Sequence, residues 1–163
     1  MKIKELKTKE ELLTAYPLLT NLYPNLTHLE YDKQLEVMLP HNYSMLAVYE
    51  ENEIIGLSGI WVGNKLWCGK YMELDNVVVA EGFRSQGVGA MLFDYAKKLA
   101  SQKECSSIGL DAFTYNHAAH KFFFKEDFIV KGYHLVHVLD AKFRYFYSRT
   151  SRFAKRSKIV LLP

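Results

Sequence analysis

Hydrophobic and polar positions along the chain change period several times, and each change marks an element. Residues 2–7 alternate and predict a short first strand. Thr8-Lys9-Glu10-Glu11 reads as a capping box, with Leu12, Leu13, Tyr16 and Leu19 following at helical spacing and Pro17 expected to kink or shorten that helix. Thr27-His28-Leu29-Glu30 is a second such box, opening a helix with Tyr31, Leu35, Met38 and Leu39 that should stop before Pro40. Strands are predicted from Met45 to Glu50 and from Ile54 to Val62, with turns at Glu51-Asn52 and Gly63-Asn64. A third strand runs from about Tyr71 to Val79. A glycine-bearing segment, 80–90, then opens a helix with Val88, Met91, Leu92, Tyr95 and Leu99 on one face. Ser107 to Phe113 predicts a strand, Asn116 caps a helix through about Glu126, and Phe128 to Leu139 is rich in β-formers and reads as a further strand. Lys142 to Tyr147 is a candidate last strand. This order predicts an α/β domain, a mixed central sheet flanked by helices.

Composition narrows the class. The 163 residues suit one domain, and an apolar fraction of 49% can build a core. No stretch approaches the roughly 20 apolar residues of a membrane span, and the charged start has no apolar leader core. Two cysteines, Cys68 and Cys105, make neither a disulfide framework nor a metal motif, so a cytoplasmic location and no metal are expected. Charge divides the chain. Seven of its 21 lysines and arginines fall in 141–163 with no acid beside them, which leaves a mildly acidic body, 1–140, and a basic extension. That extension reads as an edge strand plus a solvated tail; a nucleic-acid partner is not expected from it.

The chemistry concentrates after the third strand, in Val77-Val78-Val79-Ala80-Glu81-Gly82-Phe83-Arg84-Ser85-Gln86-Gly87-Val88-Gly89-Ala90. Free amides at a helix start favour an anion, Gly87 and Gly89 let backbone approach it, and Arg84 adds positive charge. An ordinary strand-to-helix turn, in which glycine only relieves crowding, would look the same. A Walker loop needs Gly-Lys-Ser/Thr and a dinucleotide fingerprint needs three spaced glycines; both are absent.

Arg84-x-x-Gly87-x-Gly89 resembles the Arg/Gln-x-x-Gly-x-Gly/Ala signature of the GNAT superfamily of acetyl-CoA-dependent N-acetyltransferases. Val79 keeps its spacing to Arg84, with Glu81 where proline is common. Asn116-x-x-Ala119-x-x-Phe122 followed by Phe128 resembles the family's second cofactor-side motif. The resemblance covers roughly residues 1–140 and implies the GNAT fold, acetyl-CoA as co-substrate and a primary amine of a small molecule or peptide as acceptor. It leaves a homodimer open. It implies that the backbone of Val77 and Val79 pairs with the pantetheine arm and that an amide near Val78 stabilises the oxyanion. It implies that the amides of Ser85, Gln86, Gly87, Val88, Gly89 and Ala90 hold the diphosphate. Asn116 reads as a helix cap, and the matching family residue also contacts the cofactor arm.

The acceptor must lose a proton before it attacks. Glu73 and Asp75 lie two apart on one strand and share a face. Glu73 stands eleven residues before Arg84, which matches the general-base glutamate of the family's histone-acetylating branch, so Glu73 is the first candidate and Asp75 the second. Both also fit as carboxylates that only hold a cation. Tyr16, Tyr23, Tyr31, Trp61 and Trp67 are candidates to line the acceptor side, although core packing explains them as well. Phe123 stands where the family usually has a tyrosine acid. It is expected along the pantetheine channel, with Tyr115, Tyr133 or His120 as stand-in acids. A thiolate leaves readily, so the change need not stop turnover. It also raises the alternative of an acyl-CoA-binding regulator with little catalysis.

Overall fold

Local signals set the first helical layer. The structure, a computed structural model, describes residues 1–140. Thr8 Oγ1 accepts from the Glu11 N–H at 3.3 Å, and the Glu11 carboxylate accepts from the Thr8 N–H, which opens α1 (Lys9–Leu13). Thr27 and Glu30 repeat that exchange at the start of α3 (His28–Met38). Each such cap contributes about 1 kcal/mol. Between them lies α2 (Tyr16–Leu19). The expected single helix kinked at Pro17 is therefore two short helices. Pro17 sits in the first turn of α2, where its missing N–H would lack a helical partner in any case.

The sheet has five strands in the order β1 (Lys2–Leu6), β2 (Tyr43–Glu50), β3 (Glu53–Lys65), β4 (Gly69–Val79) and β5 (Ser107–Leu110). The first three pairings are antiparallel, and β4 with β5 is parallel. The parallel pair is joined by α4 (Val88–Gln102), the long crossover helix that such a pair requires. The turn expected at Gly63-Asn64 does not form there. Asn64 and Lys65 stay in the ladder opposite Lys70 and Gly69, and the reversal uses Gly69 in the left-handed region (φ 69°).

The sheet buries both faces. On one, Leu46, Val48, Ile60, Met72 and Leu74 pack under α4 through Val88, Leu92, Phe93 and Ala96. The final helix, α5 (His117–Lys125), closes that side through Ala119 and Phe123. On the other, Met45, Ala47, Leu57 and Val78 meet Leu12, Leu18, Tyr31 and Leu35 of the N-terminal helices. Gly56 marks the tightest contact on the α4 face. A Cβ there would lie 2.5 Å from Val88 Cγ1, so the start of α4 rests directly on β3.

Two strand expectations fail. β5 ends at Leu110 rather than Phe113, and Phe128–Leu139 carries no regular structure. In that second segment Ile129, Val130, Tyr133, Leu135 and Leu139 are exposed. β-Propensity expresses a fit to a neighbouring strand, and among the described residues no strand pairs with this segment. The candidate strand at Lys142 to Tyr147 lies outside the described residues. Among the described residues no helix is long and apolar enough to cross a membrane.

The Gly56 contact yields a stability prediction. Gly56→Ala should destabilise the protein by about 1–3 kcal/mol through overpacking against Val88. Urea unfolding monitored by circular dichroism measures it; an unchanged midpoint would mean that α4 can lift from β3 at no penalty.

Candidate active site

The parting of two strands creates the site. β4 and β5 pair only from Tyr71–Ser107 to Leu74–Leu110. Beyond that point β4 continues through Val79, with no described strand on its β5 side. Its other edge stays bonded to β3: the Ala80 N–H donates to the Ile55 carbonyl at 2.8 Å, and Val78 lies opposite Leu57. Backbone direction alternates along a strand, so Val78 turns its amide to β3. Val77 and Val79 turn theirs to the open edge. The Val79 carbonyl confirms this sense, since it accepts from Arg84 Nε at 3.4 Å. Of the three expected valines, Val77 and Val79 thus present backbone to the cleft, whereas Val78 spends its amide in the ladder.

A one-residue bulge sits where the strands part. Leu57 faces Val78 and Gly59 faces Asp75, so two steps on β3 match three on β4. Asn76 supplies the extra residue in the left-handed region, with φ 53°. Its N–H donates to Asp75 Oδ1 at 2.8 Å and its Nδ2 to Asp75 Oδ2 at 2.9 Å. The Tyr23 hydroxyl donates to Asn76 Oδ1, and Trp61 Nε1 donates to Asp75 Oδ2 at 3.4 Å. Tyr43 reaches the same place. Its ring lies 4.7 Å from that of Trp61, and a Cβ at Gly59 would collide with its hydroxyl. Burial pushes the Tyr43 phenol well above its ordinary range. Burial also raises the Asp75 carboxyl above the ordinary carboxylate range; the nearby negative charges of Glu73 and Asp111 add to this, and the donors from Trp61 and Asn76 oppose it.

Glu73 lies beside this cluster, opposite Trp61 in the β3–β4 register and on the same face as Asp75. It is half-buried, with Lys65 Nζ 3.9 Å away. Asp111, the first residue past β5, contacts His134. Of the aromatics expected near the acceptor, Trp61 and Tyr23 reach the bulge. Tyr16 and Tyr31 are tied into the helical layer through the Leu26 and Leu12 carbonyls, and Trp67 is exposed on the β3–β4 turn. Sequence reasoning missed Tyr43 and Asn76. The signal for Asn76 was present: Met72 and Leu74 share a face, but the next core residue on that face is Val77, one position late.

The loop after β4 forms the second half of the site. Ser85 (φ 60°) and Gly87 (φ 85°) both take left-handed conformations, and alternation of this kind gathers backbone N–H groups into an anion-binding concavity. Gly87 precedes α4 with no side-chain cap, which leaves the N–H groups of Val88, Gly89 and Ala90 facing outward at the positive end of a 15-residue helix. No atom lies within 4 Å of a Cβ built at Gly87, so the space before the helix is open. Gly89 has a packing role that the sequence did not reveal. A Cβ there would meet the Phe122 ring at 3.0 Å, so this glycine lets α5 approach α4. Gln86 folds back, its Nε2 donating to the Gly82 carbonyl at 2.7 Å.

On α5, Asn116 caps the helix by accepting the Ala119 N–H at 3.2 Å. Phe123 is only 3% exposed and stacks on Phe93 at 5.7 Å between centroids. The structure therefore places its ring in the core, not on an open channel wall, because Phe93 and Phe128 enclose it. Tyr115 and Tyr133 are exposed, and Tyr115 stacks on Phe113.

Comparison with known proteins places this arrangement. An uncharacterized N-acetyltransferase of Bacillus subtilis (strain 168), YhdJ, is 29% identical over 133 residues, covering 80% of this chain and 94% of the relative. The fold is shared with an aminoglycoside acetyltransferase from an uncultured soil metagenomic sample, solved in complex with sisomicin: TM-score 0.74, 16% identity, 85% of this chain and 96% of that one. It is shared equally with aminoglycoside N-acetyltransferase AAC(6')-Iy in complex with CoA, at TM-score 0.74 and 17% identity, covering 84% and 93%. The description "Acetyltransferase (GNAT) family" matches residues 7–128, and the chain belongs to that family.

Proposed function

We propose that this acetyltransferase moves an acetyl group from acetyl-CoA to a primary amine, with the unit 1–140 carrying the reaction. One observation carries the reading: the Val77–Val79 edge of β4, which no strand among the described residues pairs, leads through the short Glu81–Phe83 turn to the uncapped start of α4. An extended amide-bearing arm ending in a diphosphate fits both parts in sequence, as the CoA-bound neighbour illustrates for its own chain. Bound acetyl-CoA would supply an activated acyl group on a readily displaced sulfur. The amides from Ser85 to Ala90 bind the diphosphate, with Arg84 beside them. The backbone of Val77 and Val79 aligns the arm. The Val77 N–H, the first open amide past the bulge, donates to the thioester oxygen as negative charge gathers there, a contribution of about 3 kcal/mol in comparable sites.

The acceptor enters from the face carrying Trp61, Glu73 and Asp75. Trp61 and the two carboxylates suit an ammonium ion. Glu73 removes one proton, directly or through water, so that the nitrogen can form the C–N bond as the C–S bond breaks. Asp75, whose oxygens already accept from Trp61 and Asn76, anchors the cation. The sulfur leaves as a thiolate, the second proton lost by the attacking nitrogen passing to it through water to give CoA–SH, and no dedicated acid is needed, consistent with Phe123. Two structural neighbours are aminoglycoside acetyltransferases, which supports an amine acceptor here. The second reading, an acyl-CoA-binding regulator, rests on the missing tyrosine hydroxyl at Phe123.

Calorimetric titration tests the cofactor site. Wild type should bind acetyl-CoA saturably, and Gly87→Glu, which adds bulk and negative charge at a left-handed position, should abolish binding. No binding by folded wild type would refute the proposal. Release of CoA with a panel of amines separates the two readings: binding without release under every amine supports the regulator.

Glu73→Gln tests the base. It should lower kcat/KM by about 10²-fold at neutral pH and alter its dependence on pH. An unchanged profile would assign the proton transfer elsewhere.

A further inference from the structure

Asn76 is more than a spacer in the bulge. It is buried, 8% exposed, and each polar atom of its side chain is engaged. Oδ1 accepts from the Tyr23 hydroxyl, which comes from the 20–27 loop joining α2 to α3. Nδ2 donates to Asp75, and the amide also lies against the Tyr43 hydroxyl. An amide side chain held at both ends cannot rotate without breaking a bond on one side. Position 76 is therefore a joint between the helical layer, the catalytic strand and a carboxylate on the acceptor face.

We propose that Tyr23 and Asn76 form a positioning latch: the Tyr23 hydroxyl fixes the Asn76 side chain, and the Asn76 amide fixes the Asp75 carboxylate for the acceptor. The proposal rests on the acetyltransferase reading. Neither residue touches the reacting atoms; both act through Asp75. Without the Tyr23 hydroxyl, only Tyr43 and Asp75 itself hold the Asn76 amide, and the Nδ2 donor that favours the charged form of Asp75 is less firmly placed. The groups facing Asp75 from the packed elements are Trp61 of β3, Tyr43 of β2, Glu73 of its own strand and Asp111 beyond β5. Asp111 in turn contacts His134. Among the described residues no lysine or arginine is paired with Asp75, so its donors are the Trp61 indole and Asn76.

The sign of the effect follows. Burial already holds the Asp75 carboxyl high, and the hydrogen bonds pull it down. The Trp61 indole and the Asn76 backbone N–H stay in place without the latch; what it controls is the third donor, the Nδ2 bond to Asp75 Oδ2 at 2.9 Å, and losing that donor raises the pKa further. Asp75 then stays protonated to a higher pH, and the acid limb of kcat/KM for the amine moves upward with it.

The experiment is a carboxyl NMR titration of the full chain as wild type, Tyr23→Phe, Asn76→Gly and the double variant. Glycine keeps the left-handed backbone and drops only the amide. The Asp75 pKa should rise in Asn76→Gly, and by a smaller amount in Tyr23→Phe. The double variant should match Asn76→Gly, because both changes break one chain of bonds. Acetyl-CoA affinity should be unchanged in Tyr23→Phe, while its acid limb shifts upward. An Asp75 titration unmoved in Tyr23→Phe would overturn the latch even if the melting temperature fell. A moved titration with an unmoved acid limb would overturn its part in the reaction. If wild type neither binds acetyl-CoA nor releases CoA, the transferase reading fails, and the titration still decides whether Tyr23 governs Asp75.

Discussion

A backbone amide taken out of water has to be met by something, and the structure turns on where that demand is left open. From Tyr71 to Leu74 both edges of β4 are paired, to β3 on one side and to β5 on the other. After Leu74 one edge has no partner strand among the described residues, while β4 runs on to Val79. The N–H groups of the first α4 turn are in the same condition, because Gly87 brings no capping side chain. Among the described residues these two sets of donors have no strand or cap against them, and a single turn, Glu81–Phe83, separates them in the chain. They form a track that a ligand with an extended amide arm and an anionic end can complete.

Holding that track open requires rigidity around it. The α4 helix cannot slide, because Val88 rests on Gly56 and the Phe93 ring is enclosed by Phe122, Phe123 and Phe128. The opposite face is sealed by Leu12, Tyr31 and Leu35 over Met45 and Leu57. The sheet is thereby gripped on both sides along its length. The glycines divide the labour: Gly56 and Gly89 admit close neighbours, and Gly87, like Gly69 at the β3–β4 reversal, is there for its backbone angle with open space around it.

Much of this was legible in the sequence where the determinants are local. The capping boxes at Thr8 and Thr27, the β2 and β3 strands and the long α4 face stand where their residues predict. The strand-to-helix loop, with its Arg84 to Gly89 motif, could be found because helix starts and glycines carry their chemistry in short windows. The reading failed where partners decide. Phe128–Leu139 has the composition of a strand and no described neighbour to make it one. Phe123 resembles a channel residue by position, and only the Phe93 contact shows it to be core. The backbone sense of Val78 depends on its pairing with Leu57, which no local pattern reveals.

The bulge bears on how the chain could vary in length. Leu74 and Val77 point into the α4 core, and Asp75 and Val78 point to the other face. If Asn76 were deleted, those four side chains would keep their faces, and Ser58 would stand opposite Val77 in an unbroken ladder. The inside–outside pattern of the protein is therefore indifferent to this residue. Almost any other single deletion within β4 would throw hydrophobic groups to the wrong side. Packing gives no reason to keep a buried asparagine in a strained conformation at a place where a shorter strand would fit. What the extra residue provides is a strand whose two halves are out of step, so that a fold able to close its sheet regularly is held short of doing so.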